Sequence, residues 1–296
     1  MRRRIFWAII GVPSALIIIG AGAAFSLPMT RHMISGLWNM PDRLPALSTN
    51  SQVHYQLGAE DFARDVAALY PDAIARVEAV HGRRFAHPVR VGAYATPEAY
   101  AAANGQGSDV PVGVTFAGRV NLSPKLFWPQ HQRLRAILTH ELSHAHINGW
   151  IGAVAYIHLP NWFKEGLAVM VSAGGGAELV SEEEARAAIR RGEQIVIDDA
   201  GSLENLVDVR LERAPANKPA WYPVVLAYRE AGMFVTYLRE SDGPAFDRMM
   251  NAILDGSAFA EALTVGYHDD VQSLWQKFKT SSPELMTPPV YPQLRK

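Results

Sequence analysis

Two imidazoles and a carboxylate stand together at His140-Glu141-Leu142-Ser143-His144, an H-E-x-x-H pattern. Each residue of a helix advances about 100°, so positions four apart share a face. His140 and His144 would then aim ring nitrogens at one point, and Glu141, one step round, would reach a water held there. That set suits metal-assisted hydrolysis of a carbonyl. The surrounding stretch, 131–148, is apolar at core spacing through Leu134, Leu138, Leu142 and Ala145, so histidines at its centre need a purpose.

A catalytic zinc takes three protein ligands and keeps a fourth position for water. The third candidate is Glu165, within Pro160-Asn161-Trp162-Phe163-Lys164-Glu165-Gly166-Leu167-Ala168. Twenty residues separate it from His144, enough for breaks at Gly149 and Pro160 and an antiparallel return. Trp162, Leu167, Met170 and Val171 would bury this second helix, and Gly166 would let two backbones approach closely. The competing account of Glu165 is a solvated carboxylate favoured by the helix dipole.

H-E-L-S-H followed by P-N-W-F-K-E-G-L-A resembles the gluzincin metallopeptidases, most closely their bacterial peptidase MA-like members. The resemblance is strongest over residues 113–172 and extends over about 52–280, with an inter-motif gap slightly longer than in the best-known gluzincins. It implies a zincin-like metallopeptidase fold and one Zn2+ ion held by His140, His144 and Glu165, with Glu141 as general base. It also implies a peptide or protein substrate, lying along an edge strand for which Arg119–Leu122 is the candidate. Gluzincins often present a tyrosine from a later helix to the oxyanion formed on attack. Tyr228, in A-Y-R-E-A-G, resembles that residue; Tyr222 is its rival, and an ordinary core tyrosine is the other account.

Several elements must place these groups. Phe62, Val66, Leu69, Val77 and Val80 form a helical stripe, with Pro71 kinking it or starting a second helix. Residues 89–95 read as a strand, Thr96-Pro97 as a helix start, and 104–113 as a loop. Short strands follow at 113–116 and 119–122. Beyond the second motif, Gly174-Gly175-Gly176 reads as a flexible hinge, Ser181 as a helix cap, and Glu182, Glu183 and Glu184 as a solvated face. Val224, Tyr228, Ala231, Val235 and Leu238 share one helical face, and more helices follow to about 280. The expected fold is α+β, with a small mixed sheet over the motif helix, a mostly helical C-terminal half and the cleft between them. His131 and His146 face away from the motif pair; His146 and His158 read as hydrogen-bonded structural histidines, although His158 lies in the connection and can approach the site.

The 296 residues leave room for a large core, and a net charge of −1 gives no electrostatic case for nucleic acid. Without cysteine there is no disulfide, thiolate ligand or Cys nucleophile. Arg2, Arg3 and Arg4 precede an uncharged apolar run over residues 5–25, about 30 Å long as a helix. Residues 1–25 are therefore expected to form a transmembrane signal anchor in the lipid bilayer, N-terminus in the cytoplasm, with the domain outside. With the bacterial resemblance, outside means the periplasmic face of an inner membrane. A cleaved signal peptide is the alternative, given Ala21-Gly22-Ala23. Residues 26–51, interrupted by Pro28, Pro41 and Pro45, read as a linker, 52–280 as the peptidase domain, and 281–296 as a Pro-rich tail.

The function expected from all this is a membrane-anchored zinc metallopeptidase. Two alternatives are a zinc hydrolase of a non-peptide amide and a membrane-anchored binding protein that keeps the fold without turnover.

Overall fold

The computed structural model describes residues 28–201 and 209–281. They form an α+β fold: a five-stranded sheet and its helices, then a helical C-terminal half. The strands are β1 (Ala46–Leu47), β2 (Asn50–Tyr55), β3 (Val91–Ala93), β4 (Gly113–Phe116) and β5 (Arg119–Leu122). Their order is β1-β2-β3-β5-β4. The central three run parallel, and β1 and β4 flank them antiparallel.

Side chains alternate across a strand. Val53, Val91, Ala93, Val120 and Leu122 therefore join the main core, where helices α2 (Glu60–His81) and α4 (Leu134–Ile157) cover the sheet. Tyr94, Tyr100, Ala103 and Val114 form a smaller cluster, to which α3 (Pro97–Ala103) contributes. Helix α1 (Pro28–Trp38) packs on α3, its Ser35 hydroxyl donating to the Ala102 carbonyl at 2.9 Å. Pro71 sits inside a single helix α2, and Thr96 caps α3 by accepting from the Ala99 amide at 3.2 Å.

The second half contains α5 (Asn161–Val171), α6 (Glu182–Arg190), α7 (Tyr222–Ser241), α8 (Gly243–Leu254), α9 (Phe259–Tyr267) and α10 (Val271–Thr280). Ser181 caps α6, accepting from the Glu184 amide at 3.1 Å. Trp162, Phe163, Phe234, Phe259, Trp275 and Phe278 pack edge-to-face or tilted to join α5, α7, α9 and α10. The closest seam is α5 on α7. A Cβ built at Gly166 would lie 2.5 Å from the Ala231 carbonyl oxygen, so only hydrogen fits there.

Four expectations are corrected. The transmembrane helix was expected over residues 1–25, which lie outside the described residues, and among the described residues no helix is long and apolar enough to cross a membrane. The two longest show why. Charged side chains such as Asp65, Asp72, Arg76 and Glu78 interrupt α2, while α4 carries three histidines and Glu141 and breaks at Gly152. Over the described residues the fold class is thus α+β with no membrane-spanning helix, and the single-pass placement has no support from them. Second, residues 28–51 are not a bare linker but hold α1, a 3-10 turn at Pro41–Arg43, β1 and the start of β2. Third, Arg119–Leu122 is interior; the edge strand beside α4 is Gly113–Phe116. Fourth, the break after the motif falls at Gly152, not Gly149. The expected tail falls on 281–296, of which only Ser281 is described.

Candidate metal centre

From Ile137 to Ile147 every residue of α4 is buried. A helix enclosed on all sides must satisfy its polar side chains internally. Ser143 and His146 do so on one side. His81 of α2 bonds His146 (Nδ1 to Nδ1, 2.9 Å) and Ser143 (Nε2 to Oγ, 3.1 Å), while His146 Nε2 donates to the Arg83 carbonyl at 2.9 Å. Burial drives both rings below the ordinary imidazole range, so both are neutral. His146 is the structural histidine its helix position implies. His131 bonds Asp65 at 3.1 Å, and His158 is exposed.

His140 and His144 face the other way, toward Glu165 on α5. The two Nε2 atoms are 3.1 Å apart, and Glu165 Oε2 lies 3.2 Å from His140 Nε2 and 3.5 Å from His144 Nε2. Zinc bonds of about 2.0–2.2 Å in a tetrahedron would set ligand atoms about 3.3–3.6 Å apart. The three edges of this triangle match that scale within about 0.2 Å, so the buried His140/His144/Glu165 group can hold a metal ion. Burial alone would raise the Glu165 carboxyl, but the adjoining His144 and His140 rings outweigh it and hold it far below the usual carboxylate range. For His140 burial favours the neutral ring, and the Glu165 and Glu141 carboxylates reverse that. Three donors of this kind, pressed together without bulk water, are a set that a divalent cation relieves.

Each histidine is braced on its outer nitrogen. The Gly175 carbonyl lies 2.9 Å from His140 Nδ1. A carbonyl can only accept, so Nδ1 carries a proton, and once a cation takes the place of any second proton Nε2 offers its lone pair to the centre. The glycine run read as a hinge is therefore pinned. Ser172 Oγ accepts from the Gly175 amide at 3.0 Å, and Arg229 donates to the Ala177 and Val180 carbonyls at 2.9 and 2.7 Å. The outer nitrogen of His144 meets the Tyr156 hydroxyl at 2.9 Å.

Glu141 points to the sheet side. On β4 the Thr115 hydroxyl lies 2.7 Å from the Glu141 carbonyl and 2.9 Å from its Oε2. This orients the carboxylate of the residue that follows His140 toward the sheet. The Tyr228 ring lies parallel to that of His140, 10° off, with centroids 6.2 Å apart. Tyr222 is elsewhere, its hydroxyl donating to Glu184 Oε1 at 2.7 Å. Six residues on a helix rotate by about 240°, so the two tyrosines cannot serve one site. Of the later-helix candidates, only Tyr228 adjoins the centre.

Sequence reasoning missed Tyr156, the Gly175 carbonyl and Thr115. Only Tyr156 left a trace, as a polar aromatic between the two motifs; a backbone acceptor and a cross-sheet hydroxyl have no local signature. Compared with family models, curated proteins and solved structures, the chain matches none. Function must therefore be argued from the chemistry of the site.

Proposed function

We propose that this chain is a zinc-dependent peptidase of the gluzincin kind. The observation that carries the reading is the triangle of His140 Nε2, His144 Nε2 and Glu165 Oε2 with the Glu141 carboxylate beside it. Two imidazoles and one carboxylate are a ligand set used by catalytic zinc, and three protein ligands leave room for water. When bound, zinc supplies a Lewis acid that polarises a carbonyl and acidifies water.

The chain's own groups divide the remaining work. Glu141 accepts a proton from the attacking water and returns it to the leaving amine. Thr115 holds Glu141 Oε2, leaving Oε1 for that transfer. Tyr228, stacked beside His140, is the donor assigned to the developing oxyanion. A peptide substrate is favoured over a small amide because β4 carries Thr115 and has no strand on its outer margin among the described residues. An extended peptide can add there by main-chain hydrogen bonds, beside the base.

Glu141→Gln is the test, made on zinc-loaded full-length chain with a peptide library and a panel of small amides. The variant should keep its zinc and lose at least two to four orders of magnitude in turnover. Undiminished hydrolysis would refute the assignment. Cleavage of small amides but no peptide would move the substrate class, and a zinc-loaded wild type that cleaves neither would make the chain a binding protein.

A further inference from the structure

We infer that Gly152 and Tyr156 form a positioning device that returns a phenol to the outer nitrogen of His144, setting that ring for metal. The inference builds on the metal-site reading above. In an unbroken helix residues 144 and 156 would lie about 18 Å apart along the axis. Instead the Tyr156 hydroxyl is 2.9 Å from His144 Nδ1. The return is made by one residue. Gly152 has φ 76 and ψ 165, a region entered at low cost only by glycine. A Cβ built there meets nothing within 4 Å, so glycine is required by backbone angle and not by space.

The returning segment is also held from the far side. Lys164 places its Nζ 4.9 Å from the Tyr156 ring centroid and 3.5 Å from the Tyr156 carbonyl. Lys164 precedes Glu165, so the phenol that braces one ligand is tied to the helix bearing another. The brace has a chemical purpose. His144 Nε2 faces Glu165 and His140, and can ligate only with its lone pair free. The ring proton must then sit on Nδ1, which is buried and needs an acceptor. Gly175 meets that need for His140, and the Tyr156 oxygen meets it for His144. A hydroxyl committed to the outer edge of His144 is a positioning group and not an oxyanion donor.

The test is zinc affinity of the full chain, measured by competition with a chromophoric chelator, which needs no turnover. Tyr156→Phe keeps the ring over Lys164 and removes only the hydroxyl. It should bind zinc about 10–100-fold more weakly than wild type, with the unfolding midpoint of the zinc-free chain little changed. Gly152→Ala should weaken zinc binding in the same direction, and adding Tyr156→Phe to it should cost little more, because both remove one contact. Tyr156→Phe binding zinc as tightly as wild type would overturn the inference and leave the metal site standing. Full additivity of the two substitutions would also overturn it. A wild-type chain that does not bind zinc would sink both the metal-site reading and this one.

Discussion

Glu230 of α7 is fully buried, and its titration should be readable in the stability of the protein. Its Oε2 accepts from the Ile195 amide at 2.9 Å, while Oε1 has no partner among the described residues. Ile195 pairs with Leu211, so this carboxyl fastens a short strand pair to the helix that carries Tyr228. Burial, with Glu193 and Glu212 adding to it, pushes the carboxyl up from 4.5 to about 9. The native state therefore holds a proton at pH 7 that the unfolded chain has released. Stability then falls with rising pH, by about 1.4 kcal/mol per unit from roughly pH 5, and levels off above about 9 where the native carboxyl also ionises. At pH 7 the accumulated cost is about 3 kcal/mol. Glu230→Gln removes the titration and keeps an acceptor for Ile195. Its unfolding free energy relative to wild type, from urea titrations followed by tryptophan fluorescence, should grow by about 2–3 kcal/mol between pH 6 and pH 8. A difference that stays constant across that interval would refute the assignment of a neutral buried carboxyl.

Three further outcomes follow from the site and the seam behind it. Thr115→Val should lower kcat about tenfold with zinc content unchanged, and Thr115→Ser should restore it, because one charge-assisted hydrogen bond to Glu141 is at stake; equal kcat in all three proteins would deny Thr115 a role. Glu165→Gln removes the charge between the two imidazoles, so zinc retained after dialysis should drop to a small fraction of wild type by elemental analysis. Full retention would exclude Glu165 as a ligand. Gly166→Ala would drive a methyl into the Ala231 carbonyl, so the thermal midpoint should fall as expected for about 1–3 kcal/mol of overpacking; an unchanged midpoint would mean that α5 and α7 separate freely.

Much of the centre was legible without coordinates, and for a local reason. Helical periodicity alone puts His140 and His144 on one face and turns His146 away to its own partners. The caps at Thr96 and Ser181, the apolar stripes of α2 and α4, and the close approach at Gly166 also follow from short-range sterics and hydrogen bonding. Strand order did not follow from them. Gly113–Phe116 and Arg119–Leu122 have the same length, and the edge position belongs to the one that β3 does not pair with. The choice between Tyr222 and Tyr228 likewise needed to know which side of α7 faces His140. Apolar length alone did not establish a membrane span, and the proline-rich stretch 28–51 proved to hold ordered elements once α3 and β2 were there to pack against. The chain's local pattern specified two members of the His140/His144/Glu165 group and pointed to the third, whereas what surrounds the group came from packing: a carbonyl from Gly175, a hydroxyl from Thr115 across the sheet, and a phenol returned by a turn at Gly152. Each of these meets its partner through a fold-dependent approach, and such contacts have no periodicity along the chain that could announce them.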